Sequence, residues 1–201
     1  MENEVLENHK RYLERVRFYK SFGYDLERER DFILDKSLPF SGKILEIGTG
    51  KGHFALSLAK RGYSFTSVDL SEEEQNIALL NLRYFGLDKL VSLITGDARS
   101  LSFGDKSFDT IFCINVFHHL KNPSAVLDEI IRLLKNKGKV VLSDFNAKGL
   151  EIINKCHNYE GRKHDSFKHG LKEAKDFCFK NPFRGREFER VVQRGSRAEN
   201  S

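Results

Sequence analysis

The 201 residues contain 39% hydrophobic and 31% charged side chains, ordinary values for a soluble globular protein with one substantial core. No apolar run is long enough to cross a membrane, and the first residues are too charged for a secretory signal, so we expect no membrane association. The net charge of +5 lies mainly after residue 150, and this modest excess does not favour a nucleic-acid partner but leaves one open.

Residues 1–40 show the helical spacing of apolar residues between charged ones, and Gly23 predicts a break that divides them into two helices. We expect this segment to form an N-terminal helical cap. Its aromatic stretch FYKSFGY, at residues 18–24, suits either a helix packed onto a sheet or a lid over a ligand.

Residues 41–146 alternate strand and helix patterns five times. The predicted strands cover residues 43–48, 64–70, 91–97, 108–115 and 139–145, and the helices between them include 53–60, 71–86 and 122–138. The strands are apolar along most of their length and alternate with amphipathic segments. This pattern is typical of a parallel sheet that is covered by helices on both faces.

The last part of the chain is polar except around the turn-like NPFRG at residues 181–185. The stretches on either side, about 175–180 and 187–193, predict a closing antiparallel hairpin. Together with the five earlier strands, the hairpin makes a seven-stranded, mostly parallel sheet. We therefore expect one α/β domain over residues 41–195, followed by a flexible tail at 196–201.

The stretch ILEIGTGKGHF, residues 44–54, leads from a strand into a loop with Gly48, Gly50 and Gly52 at every second position. A loop with so few side chains lets a large ligand lie against the main chain, at the strand ends where open parallel sheets bind ligands. Dinucleotide enzymes carry G-x-G-x-x-G instead. Glu46, two residues before Gly48, would repel a pyrophosphate but favours a cationic ligand.

This loop is the first of five motifs that occur in order over about residues 40–146. They read EIGTGKG, SVDLS, GDARSLSF, FDTIFCINVFHHL and LLKNKGKVVLSDF. In these motifs the chain resembles the class I S-adenosylmethionine-dependent methyltransferases, and within them the small branch that includes ubiquinone and menaquinone biosynthesis enzymes. The resemblance implies a Rossmann-like fold and S-adenosylmethionine as cofactor, with S-adenosylhomocysteine as its product.

The resemblance also implies a cofactor contact for each matching residue. These are Glu46, Gly48, Thr49, Gly50, Gly52 and Asn115 at the methionine end, and Asp69, Leu70, Asp97 and Ala98 at the ribose and adenine. Asp69 would accept hydrogen bonds from both ribose hydroxyls, since a carboxylate is a bidentate acceptor. The alternative stays open that Glu46 and Asp69 cap neighbouring helices and that Asp97 belongs to a simple turn.

His118 and His119 follow the fourth strand, where the family's loop faces the transferred methyl group. An imidazole with an ordinary pKa of about 6.5 suits proton acceptance, although packing explains histidines at this place equally well. Asp144 lies at the end of the fifth strand. We therefore expect one of the two histidines, together with Asp144, to line the acceptor side.

His157, Glu160 and His164 share one face if their segment is helical, although Gly161 interrupts that helix. Two imidazoles and a carboxylate can bind a divalent metal, contact an acceptor or face solvent. We count these three residues as candidates for acceptor contact and assign no metal site.

The resulting hypothesis is in-line methyl transfer to a small molecule by a cytoplasmic monomer or homodimer. The three cysteines lack a C-x-x-C pair, which argues against a disulfide framework or a cysteine zinc site and favours a reducing compartment. The alternatives are an RNA or protein methyltransferase that uses the basic C-terminal region, a catalytically silent cofactor-binding protein and a nicotinamide dehydrogenase.

Overall fold

The structure, a computed structural model, describes residues 2–159 and 161, and the backbone of residues 187–190. The helices are α1 (Glu2–Ser21), α2 (Leu26–Ser37), α3 (His53–Lys60), α4 (Glu72–Tyr84), α5 (Pro123–Leu133) and α6 (Ala147–Tyr159). The strands are β1 (Ile44–Ile47), β2 (Phe65–Asp69), β3 (Val91–Thr95), β4 (Phe108–Ile114), β5 (Leu134–Ser143) and β6 (Glu187–Arg190). Short 3-10 turns at Asp88–Leu90 and Phe117–His119 precede β3 and α5.

The strands form one sheet in the order β3-β2-β1-β4-β5-β6, and every neighbouring pair is parallel. The strand order runs outward from β1 in both directions. The carboxyl ends of β1 and β4 therefore flank the crevice in which such sheets bind ligands. The predicted Rossmann-like α/β fold with a parallel sheet is confirmed.

The sheet differs from the prediction at its far edge. The described part of the chain contributes six strands, where the sequence predicted seven. The strand predicted at 187–193 is present as β6 and pairs parallel to β5, whereas the antiparallel pairing was predicted with 175–180 and stays a prediction. Its predicted hairpin partner, 175–180, lies outside the described residues. Side-chain alternation predicts which faces a strand presents and not the direction in which it pairs.

The second difference concerns the segment between α5 and β5. The predicted helix 122–138 ends early at Leu133, and β5 begins at once, with a register shift opposite Phe108 and Thr110. The predicted helix makes Gly138 its last residue. A Cβ at Gly138 would instead lie 2.7 Å from Leu134 Cδ1 and 3.0 Å from the carbonyl oxygen of Asp109, so glycine allows a close approach of β5 to β4.

Helix α1 is connected to the glycine loop through two side-chain amides. Asn8 Nδ2 donates to Asn81 Oδ1 of α4 at 2.8 Å, and Asn81 Nδ2 donates to the carbonyl oxygen of Lys51 at 2.8 Å. The predicted break between α1 and α2 is present at Gly23, whose φ is 85°. The N-terminal helices are thus held against the end of the sheet at which the loop lies.

The core has a layer on each face of the sheet and a third cluster above its edge. Along β1, Ile44 packs into the layer of α2, α3 and α4, whereas Leu45 and Ile47 pack into the layer of α5. The third cluster joins α1, α2 and α6 and consists of Tyr19, Tyr24, Leu26, Ile153 and Cys156. Among the helices of the described ranges, none combines the length and apolar character that a membrane crossing requires.

Candidate active site

A cavity of about 970 Å³ opens at the carboxyl ends of β1, β2 and β4. The glycine loop and the strand ends form one side, and residues of α1, α2, α6 and the turn after β4 form the other. Its volume is at the upper end of the range of about 300–1,000 Å³ for small-molecule sites. The cavity therefore has room for more than one small ligand.

The three loop positions have glycine for different structural reasons. A Cβ at Gly48, where φ is 87°, would lie 2.1 Å from Val116 Cγ2, and one at Gly52 would lie 2.8 Å from the Cβ of Ala78. These two glycines allow close packing of the loop on its own protein. A Cβ at Gly50 would meet nothing within 4 Å. The expectation that missing side chains make room for a ligand therefore applies best to Gly50.

Asp69 at the end of β2 holds the loop in place. Its Oδ2 accepts a hydrogen bond from the amide of Gly50 at 2.7 Å, and its Oδ1 accepts one from the amide of Ser71 at 2.9 Å. The predicted helix-capping role is thus partly present, since Ser71 precedes α4. Asp69 also lines the cavity, beside a Leu70 that is 73% exposed.

Glu46 does not lie where the sequence placed it. Its side chain is 1% exposed and is not part of the cavity wall, because alternation along β1 turns it away from the face that carries Ile47. Thr49 and Gly52 are also absent from the wall. The expectation that the Glu46 carboxylate contacts a cationic ligand is therefore corrected.

A chain of side-chain hydrogen bonds ends at Glu46. Ser67 Oγ donates to Glu46 Oε2 at 2.5 Å. Thr49 Oγ1 lies 2.6 Å from Ser67 Oγ. The same Thr49 oxygen accepts a hydrogen bond from Gln75 Nε2 at 3.2 Å. Burial raises the pKa of Glu46 to about 8, and the charge of Asp69 adds to this, while the bond from Ser67 opposes it. Glu46 is therefore protonated at neutral pH and acts in the structure rather than as a charged ligand contact.

Asp97 lies beyond β3 and is clamped by Arg99. Arg99 donates to the Asp97 carboxylate from its amide at 2.9 Å, from Nε at 3.0 Å and from Nη2 at 2.5 Å. These bonds lower the pKa of Asp97 to about 2, so it stays ionised. Asp97, Ala98 and Arg99 all line the cavity. The turn role expected as an alternative for Asp97 is compatible with a ligand role.

Asn115 at the end of β4 lies beside Tyr24, which belongs to the aromatic stretch considered as a lid, and beside an arginine that the sequence did not identify as a site residue. Asn115 has a φ of 57° and its amide donates to the carbonyl oxygen of Ser143 at 2.7 Å. The hydroxyl of Tyr24 accepts from Arg30 Nη1 at 2.9 Å and lies 3.5 Å from Asn115 Nδ2. Asn115, Tyr24 and Arg30 all line the cavity.

The cavity is electropositive where α1 and α2 meet the start of α3. Arg15, Arg30, Lys51 and His53 line this part. Burial lowers the pKa of His53 to about 3, and the charges of Arg30, Arg15 and Lys51 contribute to this. His53 is therefore neutral at physiological pH, and the local positive charge belongs to the arginines and the lysine. The helical spacing of Arg15 and Tyr19, four residues apart, was the available sequence signal for this shared face.

His118 and Asp144 form a buried pair beside the cavity. Asp144 Oδ1 lies 2.5 Å from His118 Nδ1, and Oδ2 accepts from the His118 amide at 2.8 Å. His118 is 2% exposed and lines the cavity, whereas Asp144 is buried behind it and is not part of the wall. His119 is exposed, with its ring centroid 3.9 Å from that of His118. The expectation that Asp144 itself lines the acceptor side is therefore corrected, since it contacts His118 and not the cavity.

The third predicted group is described only in part. His157 on α6 lines the cavity together with Ile153. Glu160 and His164 lie outside the described residues, so the shared face predicted for the three is represented here by His157 alone. Within residues 2–159 and 161, no three His, Cys, Asp or Glu side chains gather as a metal site requires.

Comparisons with known proteins point to one family. The sequence profile described as "Methyltransferase domain" matches residues 45–142. A ubiquinone biosynthesis O-methyltransferase from Aeromonas salmonicida is 32% identical over 117 residues, covering 58% of this chain and 49% of that protein. The chain thus spans about half the length of the curated relatives it matches.

Two solved structures share the fold. The YcgJ protein from Bacillus subtilis is 26% identical with a TM-score of 0.58, over 77% of this chain and 67% of that one. The PH0226 protein from Pyrococcus horikoshii is 32% identical with a TM-score of 0.52, over 57% of this chain and 54% of that one. Both similarities are compatible with the sheet order described above.

Proposed function

We propose, on the premise that this chain belongs to the class I S-adenosylmethionine-dependent methyltransferases, that it transfers a methyl group from S-adenosylmethionine to a small-molecule acceptor. The observation that carries this proposal is the position of Asp69. Its carboxylate lies on the wall of a cavity that continues past the glycine loop to His118 and Phe145. A donor bound at the Asp69 end leaves the other end for an acceptor.

The residues around Asp69 fit an adenosine. Leu70 is an apolar side chain that is 73% exposed on a cavity wall, and a planar adenine would cover it. Asp69 would accept from the ribose hydroxyls with the lone pairs that Gly50 and Ser71 leave. The ionised Asp97 would accept from the adenine amino group, and the amide of Ala98 would donate to a ring nitrogen.

The methionine part would lie between the glycine loop and the N-terminal helices. The backbone at Gly48 and the carbonyl of Asn115 are suited to the ammonium group. Arg30 is held beside Asn115 through the Tyr24 hydroxyl, and a guanidinium is the preferred partner of a carboxylate. We therefore assign the methionine carboxylate to Arg30.

On the acceptor side, we assign to His118 the role of taking the proton from the acceptor hydroxyl. Bound S-adenosylmethionine supplies an electrophilic methyl group and leaves as S-adenosylhomocysteine. Asp144 accepts the Nδ1 proton of His118, which leaves Nε2 as the nitrogen that takes a proton from an acceptor hydroxyl. Asp144 is thus a positioning residue. His119 and His157 line the cavity and would contact the acceptor, and Glu160 and His164 remain predictions from the sequence.

Calorimetry with S-adenosylhomocysteine tests the proposal. We expect S-adenosylhomocysteine to bind the wild-type protein with micromolar affinity, and we expect NAD not to bind. Asp69→Ala should weaken the binding by about 1.5–3 kcal/mol, the cost of losing charge-assisted hydrogen bonds. Asp128→Ala, an exposed acid on α5, is the matched control and should bind like the wild type. Unchanged affinity in Asp69→Ala, or binding of NAD instead, would overturn the assignment.

A further inference from the structure

The end of the cavity where α1 meets the start of α3 contains a positive charge that has no partner among the described residues. Arg15 lies on α1, one turn before Tyr19, and both residues line the cavity. Its side chain is half-buried and forms no hydrogen bond or ion pair within the described part of the chain. A partly desolvated guanidinium without a counter-ion is costly, so a ligand that supplies one gains free energy there.

The acids of the described cavity wall do not neutralise Arg15. Asp97 is clamped by Arg99, Glu74 pairs with Lys51 at 2.5 Å, and Asp69 accepts from the loop amides. The charge of Arg15 instead acts on neutral His53, together with those of Arg30 and Lys51. The field at this end of the cavity therefore favours an anion.

The donor does not account for both arginines. S-adenosylmethionine has one carboxylate, and Arg30 is the arginine whose hydrogen-bonded partner, Tyr24, lies beside Asn115. Arg15 belongs to a different helix and is left for a second anionic group. That group must come from the acceptor.

The walls near Arg15 also indicate the shape of the acceptor. Aromatic rings follow one another from α1 to the turn after β4, with centroid separations of 6.2 Å for Tyr19–Tyr24, 5.5 Å for Tyr24–Phe145 and 5.3 Å for Phe145–His118. Such rings pack well against a planar aromatic ligand. His118 at the end of this row is the residue assigned to the acceptor proton.

We propose that the acceptor is a small aromatic hydroxy compound with a carboxylate or phosphate group, and that Arg15 binds this anionic group. The inference rests on the proposed methyltransferase function. The hydroxyl oxygen would form its bond to the methyl carbon as the carbon–sulfur bond of the donor breaks, and the hydroxyl proton would pass to His118 Nε2. The proposal separates this chain from an enzyme whose acceptor is a neutral catechol.

Calorimetry on the protein saturated with S-adenosylhomocysteine tests this. The probes are catechol, 3,4-dihydroxybenzoate and 2-hydroxyphenyl phosphate, which share the hydroxyl and differ in charge. We expect at least one anionic probe to bind tenfold or more tighter than catechol, and the pair of anions distinguishes a carboxylate from a phosphate. Arg15→Met should remove this preference. Arg17→Met, an exposed arginine on the same helix, should retain it.

Two results would overturn the inference while leaving the proposed function intact. One is equal binding of catechol and both anions by the wild-type protein. The other is a loss of S-adenosylhomocysteine affinity in Arg15→Met, which would assign Arg15 to the donor. If the wild-type protein does not bind S-adenosylhomocysteine at all, the proposed function fails first and the inference fails with it.

Discussion

The two ends of the cavity are built in different ways. The proposed donor end uses residues that directly follow β1, β2 and β3, and its proposed contacts are mainly backbone amides and carboxylates such as Asp69 and Asp97. The proposed acceptor end uses side chains from α1, α6 and the turn after β4, which lie far apart in the sequence. One end is local in sequence, and the other is assembled by packing.

This difference indicates where each function can be changed. At the donor end, the fold itself sets the ligand's position, because strand ends and loop amides cannot move independently of the sheet. At the acceptor end, Arg15, Tyr19 and His157 are side chains on helix surfaces. A substitution there changes the ligand environment without altering the backbone that holds the donor.

The largest expected effect is on the pH dependence of stability. It shows whether Glu46 belongs to the donor end or only lies beneath it. The raised pKa means that folded protein keeps a proton which the unfolded chain releases above pH 4.5, so stability should fall as pH rises from 4.5 to about 8. We expect a loss on the order of 4–5 kcal/mol over this range, at up to about 1.4 kcal/mol per pH unit. Glu46→Gln should remove this loss, as measured by urea unfolding at several pH values.

Glu129→Gln is the control for this experiment. Its side chain is also buried, but Arg132 lowers the pKa of Glu129, so its contribution is present at neutral pH and is lost as pH falls. The two variants should therefore change the pH dependence in opposite directions. A Glu46→Gln protein that keeps the wild-type pH dependence, or that loses S-adenosylhomocysteine affinity, would return Glu46 to the binding site.

The next effect concerns the glycine loop, where backbone geometry should matter more than side-chain chemistry. Gly48→Ala places a methyl group 2.1 Å from Val116 Cγ2 at a φ of 87°, whereas Gly62→Ala has a φ of 82° with nothing within 4 Å. Both variants bear the strain of a left-handed residue, about 1–2 kcal/mol. Gly48→Ala should lose about 2 kcal/mol more in unfolding free energy, because overpacking is added.

A second substitution separates the clash from the strain in this pair. Val116→Ala combined with Gly48→Ala removes the atom that the new methyl group meets, so most of the extra loss should be recovered. Equal destabilisation by Gly48→Ala and Gly62→Ala would show that the loop tolerates the contact by moving. The donor end would then be less rigid than its hydrogen bonds indicate.

The smallest expected effect belongs to the acceptor end. Asp144→Asn replaces the acceptor for the His118 Nδ1 proton and should lower kcat at least tenfold, about 1.4 kcal/mol, with S-adenosylhomocysteine affinity unchanged. Release of S-adenosylhomocysteine with 3,4-dihydroxybenzoate as acceptor measures this, and the pH–rate profile should shift if His118 takes the proton. Asp128→Asn is the control. A loss of S-adenosylhomocysteine affinity in Asp144→Asn would instead indicate that Asp144 has only a structural role.

The strands and the loop at the proposed donor end could be predicted from the sequence because their signals are local. Apolar strands β1 to β5, the glycine loop and Asp69 follow from short motifs, and a strand end fixes where the next few residues lie. The same reasoning misplaced Glu46, although alternation was available: Leu45 and Ile47 share one face of β1, and the residue between them must take the other.

The parts of the cavity that are assembled by packing could not be predicted in the same way. Arg30 and Tyr24 are six residues apart and meet Asn115 only after α2 has packed over β4, a contact that no local pattern contains. The pairing of His118 with Asp144 likewise joins residues that are distant in sequence. The parallel pairing of β6 with β5 could not be predicted either, since pairing depends on which sheet edge is available.

Helix α1 contacts both ends of the cavity. Asn8 reaches the glycine loop through Asn81 and the carbonyl oxygen of Lys51, while Arg15 and Tyr19 line the opposite side. Any shift of α1 upon acceptor binding would therefore alter the affinity for the donor, and thermodynamic reciprocity requires the donor to alter acceptor affinity by the same factor. Cooperativity between the two proposed substrates would then follow from the attachment of a single helix.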